Sequence, residues 1–130
     1  MRRTCLWTLG VILMGAAGVG ITTPADAKTK DHYYCYNVDP GTFTPPPPVA
    51  LKDQFGQRTA SVIRPVALCA PVQKNAEPVF DTVTHLLCYE VQPPFNANKN
   101  ARIRNQFGSV KLHVGQGNLL CVPSRKPILP

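Results

Sequence analysis

No stretch of this 130-residue chain spaces its apolar residues at helical period over a useful length. Its 14 prolines would interrupt long helices in any case. Serine is scarce: beyond residue 27 only Ser61, Ser109 and Ser124 occur. None lies in a Gly-x-Ser-x-Gly elbow, which removes the usual signature of a serine nucleophile. No glycine-rich loop is built to cradle a phosphate. Acidic residues are also few, with 7 Asp+Glu against 14 Lys+Arg and a formal net charge of +7. Asp39 and Asp53 have Gln92 and Asn105 at their later counterparts, so no carboxylate pair of the kind that general acid–base chemistry needs recurs.

The one long apolar run is at the start. Arg2 and Arg3 precede a Gly/Ala-rich apolar stretch from Leu6 to Ile21, and Ala25-Asp26-Ala27 follows as an A-x-A cleavage site. Residues 1–27 are therefore expected to be a signal peptide. The mature chain would begin at Lys28 and reside outside the cytoplasm, whether secreted, periplasmic or at the cell surface. After residue 27 there remain four cysteines, 12 Lys+Arg and 6 Asp+Glu, and no apolar run of the roughly 20 residues that span a bilayer as a helix.

Those remaining residues largely repeat themselves. His32-Tyr33-Tyr34-Cys35-Tyr36-Asn37-Val38 returns as His85-Leu86-Leu87-Cys88-Tyr89-Glu90-Val91 at an offset of 53. Gln54-Phe55-Gly56 returns as Gln106-Phe107-Gly108, and Leu68-Cys69-Ala70-Pro71 with Lys74 as Leu120-Cys121-Val122-Pro123 with Lys126, both at 52. The chain thus divides into a first β repeat, 28–84, and a second, 85–130. Each is too short to bury a secure core alone, so the two are expected to share one compact domain.

Period-two alternation and β-forming residues mark the strands. Residues 32–38 and 85–91 form one pair, 49–55 and 101–107 a second, and 58–64 and 110–114 a third, with tight reversals at Gly56 and Gly108. The expected fold is all-β: two tandem antiparallel units with approximate twofold symmetry in a disulfide-stabilised sandwich or barrel-like domain. Thr44-Pro45-Pro46-Pro47-Pro48 should form a stiff polyproline II connector. Its counterpart, Asn96 to Asn100, should be a polar loop.

Four cysteines in an exported chain suggest two disulfides, and four cysteines permit three pairings. A bridge inherited by duplication lies within each copy, which favours Cys35 with Cys69 and Cys88 with Cys121. Each would contribute about 3–4 kcal/mol on the chain-entropy model. The combination His-x-x-Cys-Tyr-x-Val, Gln-Phe-Gly and Leu-Cys-x-Pro resembles an uncharacterised Cys-containing β repeat of secreted bacterial proteins. The resemblance covers the mature chain as two copies. It implies export and a repeated β unit, and it brings no activity, cofactor or catalytic residue.

Two kinds of chemistry remain to weigh. His32 with Cys35 and Cys69, and His85 with Cys88 and Cys121, would each supply three metal ligands. A small extracytoplasmic metal-dependent enzyme is the reading that follows from free thiols. On a strand, however, residues three apart face opposite ways, and an oxidising compartment pairs thiols. The better candidate is a basic face on the second hairpin. Alternation puts Ala101, Ile103, Val110, Leu112 and Val114 inward, and Arg102, Arg104, Lys111 and His113 outward.

With Lys99, these cations form a candidate anion-binding cluster suited to an anionic polysaccharide or another cell-surface component. The alternative is a solvated face that keeps a strand soluble. The function expected is a secreted non-catalytic module for binding or structural display, with an inhibitor or subunit of another exported protein as a further alternative. Mass mapping without reduction is the first check. Two intact bridges, Cys35–Cys69 and Cys88–Cys121, are expected, whereas free thiols would restore the metal reading.

Overall fold

The computed structural model describes residues 30–126, so the expected signal segment, 1–27, lies outside the described residues. The described chain is all-β and antiparallel. Its strands are β1 (His32–Asn37), β2 (Val49–Asp53), β3 (Gly56–Val72), β4 (Thr84–Asn105) and β5 (Gly108–Arg125). They form an open sheet in the order β1-β3-β4-β5, with β2 also paired to β3.

The matched sequence segments occupy matched registers. Cys35 faces Cys69 across β1–β3 as Cys88 faces Cys121 across β4–β5. Val49 faces Ala60 as Ala101 faces Leu112, and Asp53 faces Gly56 as Asn105 faces Gly108. Both reversals use the same local device. Asp53 Oδ1 accepts the main-chain N–H of Phe55 at 2.8 Å, and Asn105 Oδ1 accepts that of Phe107 at 2.9 Å. Such side-chain closure of a turn suits Asp and Asn equally, which accounts for the exchange that leaves no repeated carboxylate. Gly56 and Gly108 both have positive φ, 149° and 118°. At Gly56 an added Cβ would also stand 2.9 Å from the Phe95 ring.

Several expectations need correction. The sheet is not closed into a barrel, since β1 and β5 each have a single strand neighbour among the described residues. The units follow one another as a meander, β3 of the first beside β4 of the second. They are therefore related by a step along the sheet rather than by a twofold exchange. The third strand of the first unit, expected over 58–64, runs on through the apolar segment Val66 to Cys69 as one strand, β3. Pro65 is accommodated there because the β3–β4 register shifts on either side of it. Asn96 to Asn100 is not a loop: it lies within β4, whose pairing with β5 is irregular between Glu90 and Lys99. Asn98 takes a positive φ of 47° in that stretch, a conformation asparagine tolerates.

Drawn straight, the 22 residues of β4 would reach about 70 Å. Phe107, just past its end, nevertheless has its ring 5.6 Å from Nζ of Lys74, two residues past the end of β3, whose Cys69 lies opposite Leu86 near the start of β4. The irregular stretch is where the strand curls.

The core is small. Ala60, Val62 and Val91 are buried, with Phe43, Val49, Leu51, Tyr89 and Leu120 packed against them. The face of the first hairpin made by Val49, Leu51, Ala60 and Val62 is thus the core. The segment before β2 lies across it: Phe43 meets Tyr89 with ring centroids 5.6 Å apart, and Thr44 and Pro46 line an apolar groove with Val62 and Leu120. The equivalent face of the second hairpin is not core. Ile103, Val110 and Leu112 are exposed, Val110 at 52 %, because β3 stops pairing with β4 at Gln92 and residues 99–114 pair only with each other.

The rest of the burial is sulfur. Cys35–Cys69 and Cys88–Cys121 are disulfides, and Sγ of Cys69 touches Sγ of Cys88 at 3.9 Å. Neither sulfur carries a proton, so this is a packing contact. Two bridges laid end to end therefore span β1, β3, β4 and β5.

Exposed ion pairs tie the connector to this frame. Glu77 accepts from Lys74 at 3.0 Å and lies 2.8 Å from Nε2 of His32, and Asp31 accepts the N–H groups of Phe80 and Asp81 at 2.7 and 2.9 Å. The His32 and Lys74 contacts hold the Glu77 carboxyl below its ordinary range, as Arg58 does for Asp53 and Arg64 for Glu90. Hydrogen bonds from Thr84 and Val83 do the same for Asp81. A carboxylate whose folded pKa is depressed adds stability above its unfolded pKa and loses it as pH falls through the folded one. Thermal melts should therefore show little change down to the ordinary carboxylate range and a progressive loss of Tm below it. A Tm that holds or rises there would show that these contacts contribute nothing.

Candidate anion-binding face

Beyond residue 27, excess charge is confined to one part of the chain. Residues 28–90 carry six basic and six acidic side chains, whereas residues 91–126 carry six basic and no acidic one. Four of those six, Lys99, Arg102, Arg104 and Lys111, belong to the outer part of the β4–β5 hairpin, residues 99–114, and Arg125 lies at the far end of β5.

The hairpin register fixes how they meet. Arg102 lies directly opposite Lys111, Arg104 opposite Ser109, and Asn100 opposite His113. By strand alternation Asn100, Arg102 and Arg104 share a face with Ser109, Lys111 and His113. All six are exposed. Lys99 falls opposite Val114, at the alternation of Ala101 and Ile103, so it does not join the other three cations. Nδ1 of His113 lies 3.2 Å from Oδ1 of Asn100. Around this contact Asn100, Arg102, Lys111 and His113 line an open depression of about 540 Å³.

Electrostatically the face is unbalanced. Two like charges directly across a strand pair repel, which costs the hairpin stability. None of Lys99, Arg102, Arg104 or Lys111 forms an ion pair with a carboxylate among the described residues, whereas Arg58, Arg64 and Lys74 each do. No family model, curated protein or solved structure matches the chain. The site therefore has to be read from its own geometry.

The other side chains able to carry chemistry are engaged elsewhere. The four cysteines among the described residues are all in disulfides, so the His-Cys-Cys sets have no thiolates to offer. Among the described residues no group of three or more His, Cys, Asp or Glu side chains is arranged to hold a metal ion. Asp53 pairs with Arg58 at 2.7 Å, and Asp81 accepts the N–H groups of Val83 and Thr84 at 2.9 Å each. Tyr89 packs into the core cluster, while Tyr34 and Tyr36 stack edge-on at 5.1 Å on exposed β1.

What the alternation pattern missed is the segregation of charge. Counting acidic residues separately in each half of the sequence would have exposed it.

Proposed function

We propose that this chain is an exported tandem β-repeat module that acts by binding rather than by catalysis. Its ligand is an extended polyanion of the acidic-polysaccharide type, met at a cell surface by Arg102, Arg104 and Lys111. The observation that carries this reading is the uncompensated Arg102–Lys111 pair in the outer part of the hairpin, residues 99–114, which has no acidic residue. A fold that needed only solubility there would be served as well by mixed charge. Bound anionic groups would relieve the cross-strand repulsion, so the ligand stabilises what the free hairpin leaves strained.

A polysaccharide fits better than single-stranded nucleic acid. Nucleic-acid grooves of that kind interleave cations with aromatic stacking platforms, and the face made by Asn100, Arg102, Arg104, Ser109, Lys111 and His113 contains none. The export signal read from residues 1–27 and the two disulfides favour an extracytoplasmic partner. The small core and the short exposed hairpin suit display of a surface more than enclosure of a substrate.

Replacing Arg102 and Arg104 with Ala should lower the salt concentration that elutes the protein from a heparin-like resin. By counterion release it should also flatten the slope of log affinity against log salt by roughly one unit per lost contact. Lys52→Ala, which removes a cation outside the hairpin, should change neither. Unchanged retention of the double variant would remove this site from consideration.

A further inference from the structure

The chain presents at its two free edges both halves of a strand junction that it already makes internally. Inside the sheet, β3 of the first unit pairs with β4 of the second: Cys69 faces Leu86, Leu68 faces Leu87, Ala67 faces Cys88, Pro65 faces Tyr89, Arg64 faces Glu90 and Val62 faces Val91. By the sequence match, β5 is the counterpart of β3 and β1 the counterpart of the first part of β4. Among the described residues β5 pairs only with β4, and β1 only with β3. The edge of β5 that corresponds to the joined edge of β3 is therefore free. So is the edge of β1 that corresponds to the joined edge of β4.

We infer that β1 of one copy of this chain docks antiparallel on β5 of a second copy, in the register of the internal β3–β4 junction, giving head-to-tail assembly. Carried across at the offsets of 52 and 53, that register sets Cys121 opposite Tyr33, Leu120 opposite Tyr34, Leu119 opposite Cys35, Gly117 opposite Tyr36, Gln116 opposite Asn37 and Val114 opposite Val38.

The substitutions suit the junction. The Arg64–Glu90 ion pair, 3.1 Å within the chain, becomes a Gln116–Asn37 pair of amides that can hydrogen-bond. Pro65, which has no N–H, becomes Gly117, which has one to offer the ladder. The internal junction skips Ile63 and Val66, whose counterparts are Gly115 and Asn118, residue types that tolerate such irregular positions.

Burial points the same way. The inner sulfurs belong to residues enclosed by the internal junction: Cys69 and Cys88 are each 3 % exposed. Their bridge partners Cys35 and Cys121, on the outer strands, are exposed. So are Tyr34, at 60 %, which the register sets opposite the half-buried Leu120, and Leu119, at 57 %, which it sets opposite Cys35. The edge strand β1 contains neither a proline nor an acidic or basic residue other than His32, and so lacks the usual guards against pairing. A junction between two different surfaces does not close on itself, so assembly proceeds to short filaments or rings. One strand of six residues makes a small interface, and each junction is correspondingly weak and concentration-dependent. Assembly would repeat the Arg102–Lys111 face along its length; this consequence, though not the junction itself, rests on the polyanion reading.

Complementation tests it, with size-exclusion chromatography and light scattering on the disulfide-intact chain. One variant blocks β1 (Tyr34→Lys with Tyr36→Lys), the other blocks β5 (Leu119→Lys). The wild-type mass should rise with concentration, and each variant alone should self-associate at least about tenfold more weakly. An equimolar mixture of the two should form a dimer and nothing larger, because β5 of the first accepts β1 of the second. A synthetic peptide of residues 31–39 with Cys35→Ser should shrink the wild-type assembly, a readout that does not depend on either variant folding. A wild-type monomer at every concentration, or undiminished association of the β1-blocked variant, would overturn head-to-tail docking. Heparin retention of the two variants is read in parallel. Retention without assembly leaves the binding site standing alone, and assembly without Arg102-dependent retention does the reverse.

Discussion

The end-to-end pair of disulfides is the constraint on which the sheet depends. Ala60, Val62 and Val91 are the whole of the buried aliphatic cluster, and a fully buried valine is worth about 1.5–3 kcal/mol. Against that, ordering each residue of backbone costs about 1–2 kcal/mol. Two bridges that close loops of 34 and 33 residues supply about 3–4 kcal/mol each by limiting the unfolded chain. They also act where the core does not. Cys35–Cys69 joins β1 to β3, Cys88–Cys121 joins β4 to β5, and the Cys69–Cys88 sulfur contact lies at the β3–β4 seam between them.

This arrangement explains why the repeated residues are the ones they are. The repeated Cys, the Gln-Phe-Gly reversal and the flanking Leu and Pro define where each hairpin starts, turns and is locked. Pairing within each copy was legible because a bridge made by one ancestral unit cannot cross to the other. The strand alternation was legible too, and the faces of both hairpins fall as the pattern has them. What the pattern could not show is which apolar face has something to lie against. Val49, Leu51, Ala60 and Val62 gain Phe43 and Tyr89 as cover, and Phe43 comes from a connector whose path depends on tertiary contacts. Ile103, Val110 and Leu112 have the same pattern and no such cover. The continuity of β4 through Asn96 to Asn100 was hidden for a related reason. Asn and Gly mark loops by propensity, yet bulged strands use the same residues for the same backbone freedom.

The two units also divide labour by where they differ. The first has six basic and five acidic residues, a covered inner face and carboxylates that pair Arg58 and Lys74, so it behaves as the anchor of the fold. The second has, over residues 99–114, cations without counter-charges and a hairpin end paired only to itself. Divergence on a shared frame is cheap when the frame is covalently braced, since changes on an exposed hairpin do not reach the bridges. Open edges follow from the same frame. A meander that adds units by stepping along the sheet always ends in an unpaired strand on each side, and here those strands retain the pairing chemistry of the internal seam.

Amide hydrogen exchange followed by mass spectrometry, on the oxidised chain and on the chain reduced with its thiols blocked, tests the role of the bridges most directly. If the sulfur ladder carries the sheet, protection in the oxidised protein is greatest over residues 60–69 and 86–91, and reduction abolishes it in every strand. Protection that survives reduction in β3 and β4 would contradict this, and would mean that the small aliphatic cluster holds the sheet unaided.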